Sequence, residues 1–204
     1  MKSKETMTEF NYNTQGDEMI ISLKTKSTEI GTFHKMVAVI YSLDWDIVSG
    51  DIRTIEEEGE KISFDILRLK KEDKKLSPVA SEIGLLMDTV FSSNATITNI
   101  VNSLNLKRID SKKFFKNRCE LIFEDDSEIN KTVCYIEAEN AKGLLYYVTK
   151  VLMEYKIDII NAKIETDPIR QVAMDTFYVT DHNGNMFGNS IVAKEIREQI
   201  LKPL

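Results

Sequence analysis

The chain has 204 residues, with 27 Lys and Arg against 33 Asp and Glu, a formal net charge of −6, and 42% hydrophobic residues. That balance fits a globular chain long enough for one ordinary domain or two small ones, and the acidic excess disfavours nucleic acid and anionic membrane surfaces, which select basic faces. The longest apolar runs, 83–87 and 36–41, are far too short to cross a bilayer, and 1–17 is too polar for a signal-peptide core, so a cytoplasmic protein is expected.

In chain order, residues 8–12 read as a strand with Phe10 and Tyr12 alternating, and residues 19–25 as a second. Phe33, Met36, Val37, Ile40 and Leu43 form a helical stripe, followed by a strand over 46–54, a solvated acidic tip at 56–59, a strand over 61–69 and a helix from Pro78 to Phe91. Segment 94–117 is ambiguous: Ile97, Ile100, Val101 and Leu104 fit a helical stripe, while their β-branched content suits a strand, and helix is preferred. Strands over 119–123 and 132–138 flank a turn at 124–128. After Gly143, a stripe of Leu144, Leu145, Val148, Val151, Leu152 and Tyr155 predicts a helix, then strands over 158–166 and 172–180 on either side of Asp167-Pro168. Asn183-Gly184 turns into a last helix that Ser190 can cap, with Ile191, Val192, Ile196 and Ile200 on one face.

These elements repeat. Setting 19–55 against 131–167 at an offset of 112 aligns six identities: Gly31/Gly143, Val39/Val151, Asp46/Asp158, Ile47/Ile159, Ile52/Ile164 and Thr54/Thr166. Chance would give about two. The hairpin of the first half is two residues longer, so beyond it the offset is 110 and Asp65 meets Asp175. Each half lacks a strand after its second helix. The strand that precedes each half, at 8–12 or 119–123, can pair with the next strand and fill the vacant sheet position.

Cys119 and Cys134 make neither a disulfide framework nor a zinc motif and read as small buried residues, although a hairpin at 124–128 could set them across from each other. His34 reads as a solvated helix residue and His182 as a turn residue; Trp45 and Tyr155 read as packing residues, and Asp65 and Asp175 as partners of nearby backbone amides. No P-loop, nucleophile elbow or metal-ligand cluster is present in the sequence, so no catalytic residue, metal or cofactor is expected.

The run TVCYIEAENAKGLLY over 132–146, with Asp158-Ile159, Ala162 to Thr166, Asp175 to Asp181 and Gly184, resembles the ACT domain, most closely the C-terminal ACT domains of the bacterial PII uridylyltransferase. The resemblance covers 114–204 and, more weakly through Gly31, Asp46-Ile47, Ile52, Thr54 and Asp65, the first half. It implies a tandem ACT-domain protein of the α+β class: two ferredoxin-like, βαββαβ-type units with antiparallel sheets and helices on one face, permuted if the leading strands replace the terminal ones. The domains expected are 8–92 and 118–204, joined by a helical linker at 93–117.

The resemblance further implies a small ligand, often an amino acid and with glutamine one candidate, at the strand-to-helix turn and at an interface between domains. Backbone N–H groups of Gly143, Leu144 and Leu145 suit a carboxylate, and Asn140 and Asp158 match the family positions that hold the ammonium group. Ala141 and Lys142 complete the turn, which lacks the family's usual proline and gains a cation. Thr28, Gly31 and Asp46 are the equivalents in the first unit, where Glu29 would repel a carboxylate and Phe33 is bulky, so the first unit is expected to be the poorer site. The function so implied is non-catalytic regulation in nitrogen or amino-acid metabolism, with a homodimer and a regulated protein partner expected. The alternative is a ligand-free dimerisation or protein-interaction module.

Overall fold

The structure, a computed structural model, describes residues 8–26, 28–71, 80–92, 97–104, 106, 109–116 and 119–202. The first half builds β1 (Thr8–Gln15), β2 (Glu18–Thr25), α1 (Thr32–Ser42), β3 (Asp46–Glu57), β4 (Glu60–Lys70) and α2 (Ala80–Ser92). α3 (Ile97–Ser103) and a short 3-10 turn (Ser111–Lys113) follow, and the second half repeats the pattern as β5 (Glu120–Asp126), β6 (Lys131–Glu139), α4 (Leu144–Glu154), β7 (Asp158–Asp167), β8 (Val172–Thr180) and α5 (Ile191–Leu201). The helical reading of the connecting segment holds over α3, where Ile100 and Val101 are buried. Pro78, expected to open α2, lies outside the described residues.

All eight strands form one sheet in the order β1-β2-β4-β3-β7-β8-β6-β5, with every pairing antiparallel. Within each half, the strand that leads the unit occupies the position beside the first strand that a terminal strand takes in a βαββαβ fold. The units are therefore ferredoxin-like and permuted, and the fold is α+β. Alternation sets the buried face, as in β6, where Thr132, Cys134, Ile136 and Ala138 are buried and their neighbours are not.

The 112-residue repeat extends to backbone detail. Gly31 (φ 90°) and Gly143 (φ 96°) stand in the left-handed region just before their helices, a conformation that costs a side chain about 1–2 kcal/mol. The N–H of Lys35 donates to the Gly31 carbonyl, and that of Tyr147 to the Gly143 carbonyl, both at 2.9 Å. β3 carries a bulge between Ile47 and Ser49, and β7 carries its copy between Ile159 and Asn161.

The two halves meet about a local twofold axis. β3 pairs with β7 so that Asp51 stands opposite Lys163, its own repeat equivalent. Opposite charges at the axis favour the pairing of unlike halves, whereas two copies of one half would oppose like charges there. In the helical layer, His34 stacks on Tyr146, also its repeat equivalent, with ring centroids 5.1 Å apart. Thr54 ties the junction further, its Oγ1 donating to the Ile160 carbonyl at 2.8 Å and its N–H to Asn161 Oδ1 at 3.1 Å. Buried apolar residues of both halves join in one cluster, Ile62 and Val172 standing apart from it.

Four expectations about single residues need correction. His34 is 1% exposed, because α1 is buried from Thr32 through Ile40 between the sheet and the neighbouring helices rather than on one stripe. Cys119 is exposed and precedes β5, while the hairpin register sets Phe123 opposite Cys134, so the cysteines do not face each other. Burial raises the Cys134 thiol well above its ordinary value. Ile191 is 73% exposed and outside the buried face of Ala193, Ile196 and Ile200, although Ser190 does cap the helix, accepting from the Ala193 N–H at 3.3 Å.

Candidate functional site

Because the halves are related by a twofold axis, each strand-to-helix turn faces the second strand of the other unit. The first turn, with Thr28, Glu29, Gly31, Thr32 and Phe33, meets Ile157, Asp158, Ile159 and Ile160 across a cavity of about 270 Å³. The second turn, with Asn140, Ala141, Gly143, Leu144 and Leu145, meets Trp45, Asp46 and Ile47 around a space of about 20 Å³, little more than one water needs. The candidate ligand-binding residues are therefore distributed crosswise. Thr28 and Gly31 share a cavity with Asp158, and Asn140, Ala141, Gly143, Leu144 and Leu145 share one with Asp46. Asn140 and Asp158 are not brought together. Lys142 lines neither space but borders, with Asp46, Asn140 and Ala141, an adjoining cavity of about 800 Å³; its ammonium donates to the Asp44 carbonyl at 3.2 Å and pairs with the Asp44 carboxylate at 3.3 Å, tying the second turn to the first unit.

The difference in room traces to two pairs of repeat equivalents. Met153 and Ile157 wall the first cavity, and in their places at the second stand Tyr41 and Trp45. Tyr41 Cε2 lies 3.0 Å from the position a Cβ on Gly143 would take, and the Tyr41 ring stacks on Tyr146 with centroids 5.2 Å apart. Trp45 is 5% exposed. The space between Gly143 and Trp45 is thus smaller than its counterpart at Gly31, because the walls come from the other unit, while Asp46, Asn140 and Ala141 also border the cavity of about 800 Å³.

The first cavity is rich in acceptors. His34 and Thr149 both line it. The Thr149 hydroxyl donates to the Leu145 carbonyl at 2.7 Å, so the 3.0 Å contact between Thr149 Oγ1 and His34 Nδ1 is made by an Nδ1–H donor. That tautomer leaves Nε2 as an acceptor, buried and without a partner among the described residues. Burial, aided by the Lys150 charge, pushes the imidazole pKa down to about 4, so the ring is neutral at pH 7. Burial raises the Asp158 carboxyl above its ordinary value, and the nearby Lys61 charge opposes that shift. Gly31 offers no side-chain cap to the start of α1, where the Thr32 N–H donates to the Glu29 carbonyl at 3.0 Å and the helix end carries a partial positive charge.

Asp65 and Asp175 are buried equivalents beside the two spaces, and their surroundings differ in one hydroxyl partner and in the nearby charges. Asp65 accepts from Ser63 Oγ at 2.9 and 3.1 Å and from the Arg53 backbone N–H, and burial carries its pKa to about 7. Asp175 accepts from the Glu165 backbone N–H, but Ala173 replaces the serine, Oδ1 has no partner among the described residues, and burial carries the pKa to about 8. Both groups thus have a backbone-amide partner, as the sequence suggested. Among the described residues, no group of three or more His, Cys, Asp or Glu could hold a metal ion, and no helix is long and apolar enough to cross a membrane.

Residues 127–203 match the ACR family N-terminal ACT domain. The bifunctional uridylyltransferase/uridylyl-removing enzyme of Pseudomonas syringae pv. syringae is 26% identical over 92 residues, which are 45% of this chain and 10% of that enzyme. ACT domain-containing protein ACR6 of Arabidopsis thaliana is 42% identical over 65 residues, 32% of this chain and 14% of that protein. The chain thus spans about a tenth of the length of the enzymes it matches. A crystal structure of aspartate kinase from Synechocystis superposes on 91% of this chain and 26% of its own, with a TM-score of 0.47 and 13% identity. By this match, residues 127–203 are similar to an ACT domain, and the relatives resemble this chain over less than half of its length.

Proposed function

We propose that the chain is a non-catalytic regulatory protein of the cytoplasm that binds an amino acid between its two ACT units, taken as 8–92 and 118–204 with the linker 93–117 between them. The observation that supports this reading is the cavity of about 270 Å³ where the turn at Thr28 and Gly31 meets Asp158 of the other unit. A ligand there touches both halves, so it favours whichever relative placement it fits better and passes that bias to a partner surface. Glutamine is one candidate, and a homodimer in nitrogen or amino-acid regulation is the expected setting.

Thermal unfolding of the full chain against the twenty amino acids tests the reading. A ligand at 100 times its Kd adds about 2.7 kcal/mol, a rise of several degrees for a chain of this size. Loss of that rise in Asp158→Ala locates the site at the first cavity, and loss in Asn140→Ala alone moves it to the second. Absence of any rise overturns the reading in favour of a ligand-free assembly module, which the packing of Tyr41 and Trp45 into the second space supports.

A further inference from the structure

We infer that the first cavity selects an amino acid bearing a second positive charge. This rests on the regulatory reading above and names the ligand class of the same site. Among the described residues, the charged groups lining the cavity are Glu29, Glu56, Asp158 and Lys61, and the Lys150 charge also reaches His34. An ordinary amino acid brings one charge of each sign. Its carboxylate can use the positive end of the α1 dipole and the Lys61 ammonium, and its α-ammonium can pair with one carboxylate. Two carboxylates then remain uncompensated, one of them in a partly buried setting if Asp158 is among them. A side-chain ammonium or guanidinium compensates one of the two.

The unpartnered nitrogen of His34 points the same way, independently of the acidic residues. His34 is 1% exposed, lines the cavity, and offers Nε2 only as an acceptor, because Thr149 fixes the proton on Nδ1. A ligand group that enters must bring a donor to satisfy it. The ring stays neutral near pH 7, so it does not repel a cation. A carboxamide could donate to Nε2 but would leave the excess negative charge unanswered.

Isothermal titration of the full chain with L-lysine, L-arginine, L-glutamine and L-norleucine tests the inference, norleucine being the uncharged analogue of lysine. The expected result is a basic amino acid bound at least about tenfold more tightly than norleucine or glutamine, with the margin shrinking as salt is added. Asp158→Asn should reduce that margin, weakening lysine and arginine by a larger factor than norleucine. Glu29→Gln, at an exposed loop position, should act in the same direction with no effect on folding. Norleucine or glutamine binding as tightly as lysine, or equal weakening of all four ligands by both variants, overturns the inference and leaves the regulatory reading standing. Binding of no amino acid overturns both.

Discussion

Ala173→Ser should give Asp175 the hydroxyl partner that Ser63 gives Asp65. Residues 173 and 175 lie on one face of β8, as 63 and 65 do on β4, and Ala173 borders a space of about 20 Å³ that can receive an added oxygen. The pKa should fall from about 8 toward the value of about 7 that Asp65 has, a change of about 1.4 kcal/mol. The sign follows from proton counting. Between the ordinary value of 3.8 and about 8, the unfolded chain has released the Asp175 proton and the folded chain keeps it, so stability falls by about 1.4 kcal/mol per pH unit until the folded group ionises. Ending that fall about one unit earlier makes the variant more stable at pH 9 than at pH 6, relative to the parent, by about 1.4 kcal/mol, or about 3–6 °C in midpoint. Thermal unfolding at the two pH values measures the difference, and carboxyl carbon NMR follows the titration directly. Equal stabilisation at pH 6 and pH 9, or an unchanged Asp175 titration, refutes the argument.

Other substitutions bear on the junction and its cavities. His34, with a folded pKa of about 4 against an ordinary 6.5, makes the protein gain stability as pH rises through that window, since the unfolded chain binds the extra proton; His34→Phe should flatten the unfolding midpoint between pH 4 and 6.5. Tyr41→Ala removes the ring packed against Gly143 and stacked on Tyr146, costing about 2–4 kcal/mol in denaturant unfolding, and should raise calorimetric stoichiometry from one ligand per chain toward two. Gly143→Ala meets both a φ of 96° and the Tyr41 ring at 3.0 Å, whereas Gly16→Ala at φ 66° meets no atom within 4 Å; urea titration should find Gly143→Ala the more destabilising by at least about 1 kcal/mol.

Much of the fold was legible because the sequence states it twice. The stripe from Phe33 to Leu43 and its copy after Gly143 mark equivalent helices, and the strands ahead of each half are the ones that complete the sheet. Burial of His34 was not legible, since a helical stripe reports one neighbour and α1 has several. The crosswise site was not legible either. Alignment at 112 shows Tyr41 over Met153 and Trp45 over Ile157, but only the β3–β7 pairing shows that each of these residues walls the turn of the opposite unit.

Two identical subunits about a true twofold axis must present identical sites, so any residue that fills one fills the other. Joining the halves in one chain removes that constraint. Asp51 can face Lys163, and Tyr41 and Trp45 can fill one space while Met153 and Ile157 leave the other open. The filled side adds aromatic stacking and the Lys142–Asp44 contact to the junction, contacts that need no ligand. The open side instead holds an unpartnered imidazole nitrogen and the carboxylates of Glu29, Glu56 and Asp158. The filled side also encloses polar atoms without a partner among the described residues, Trp45 Nε1 and Asp175 Oδ1, but only the side with room leaves its polar groups within reach of a bound molecule, so ligand binding can alter the junction without being required for its formation.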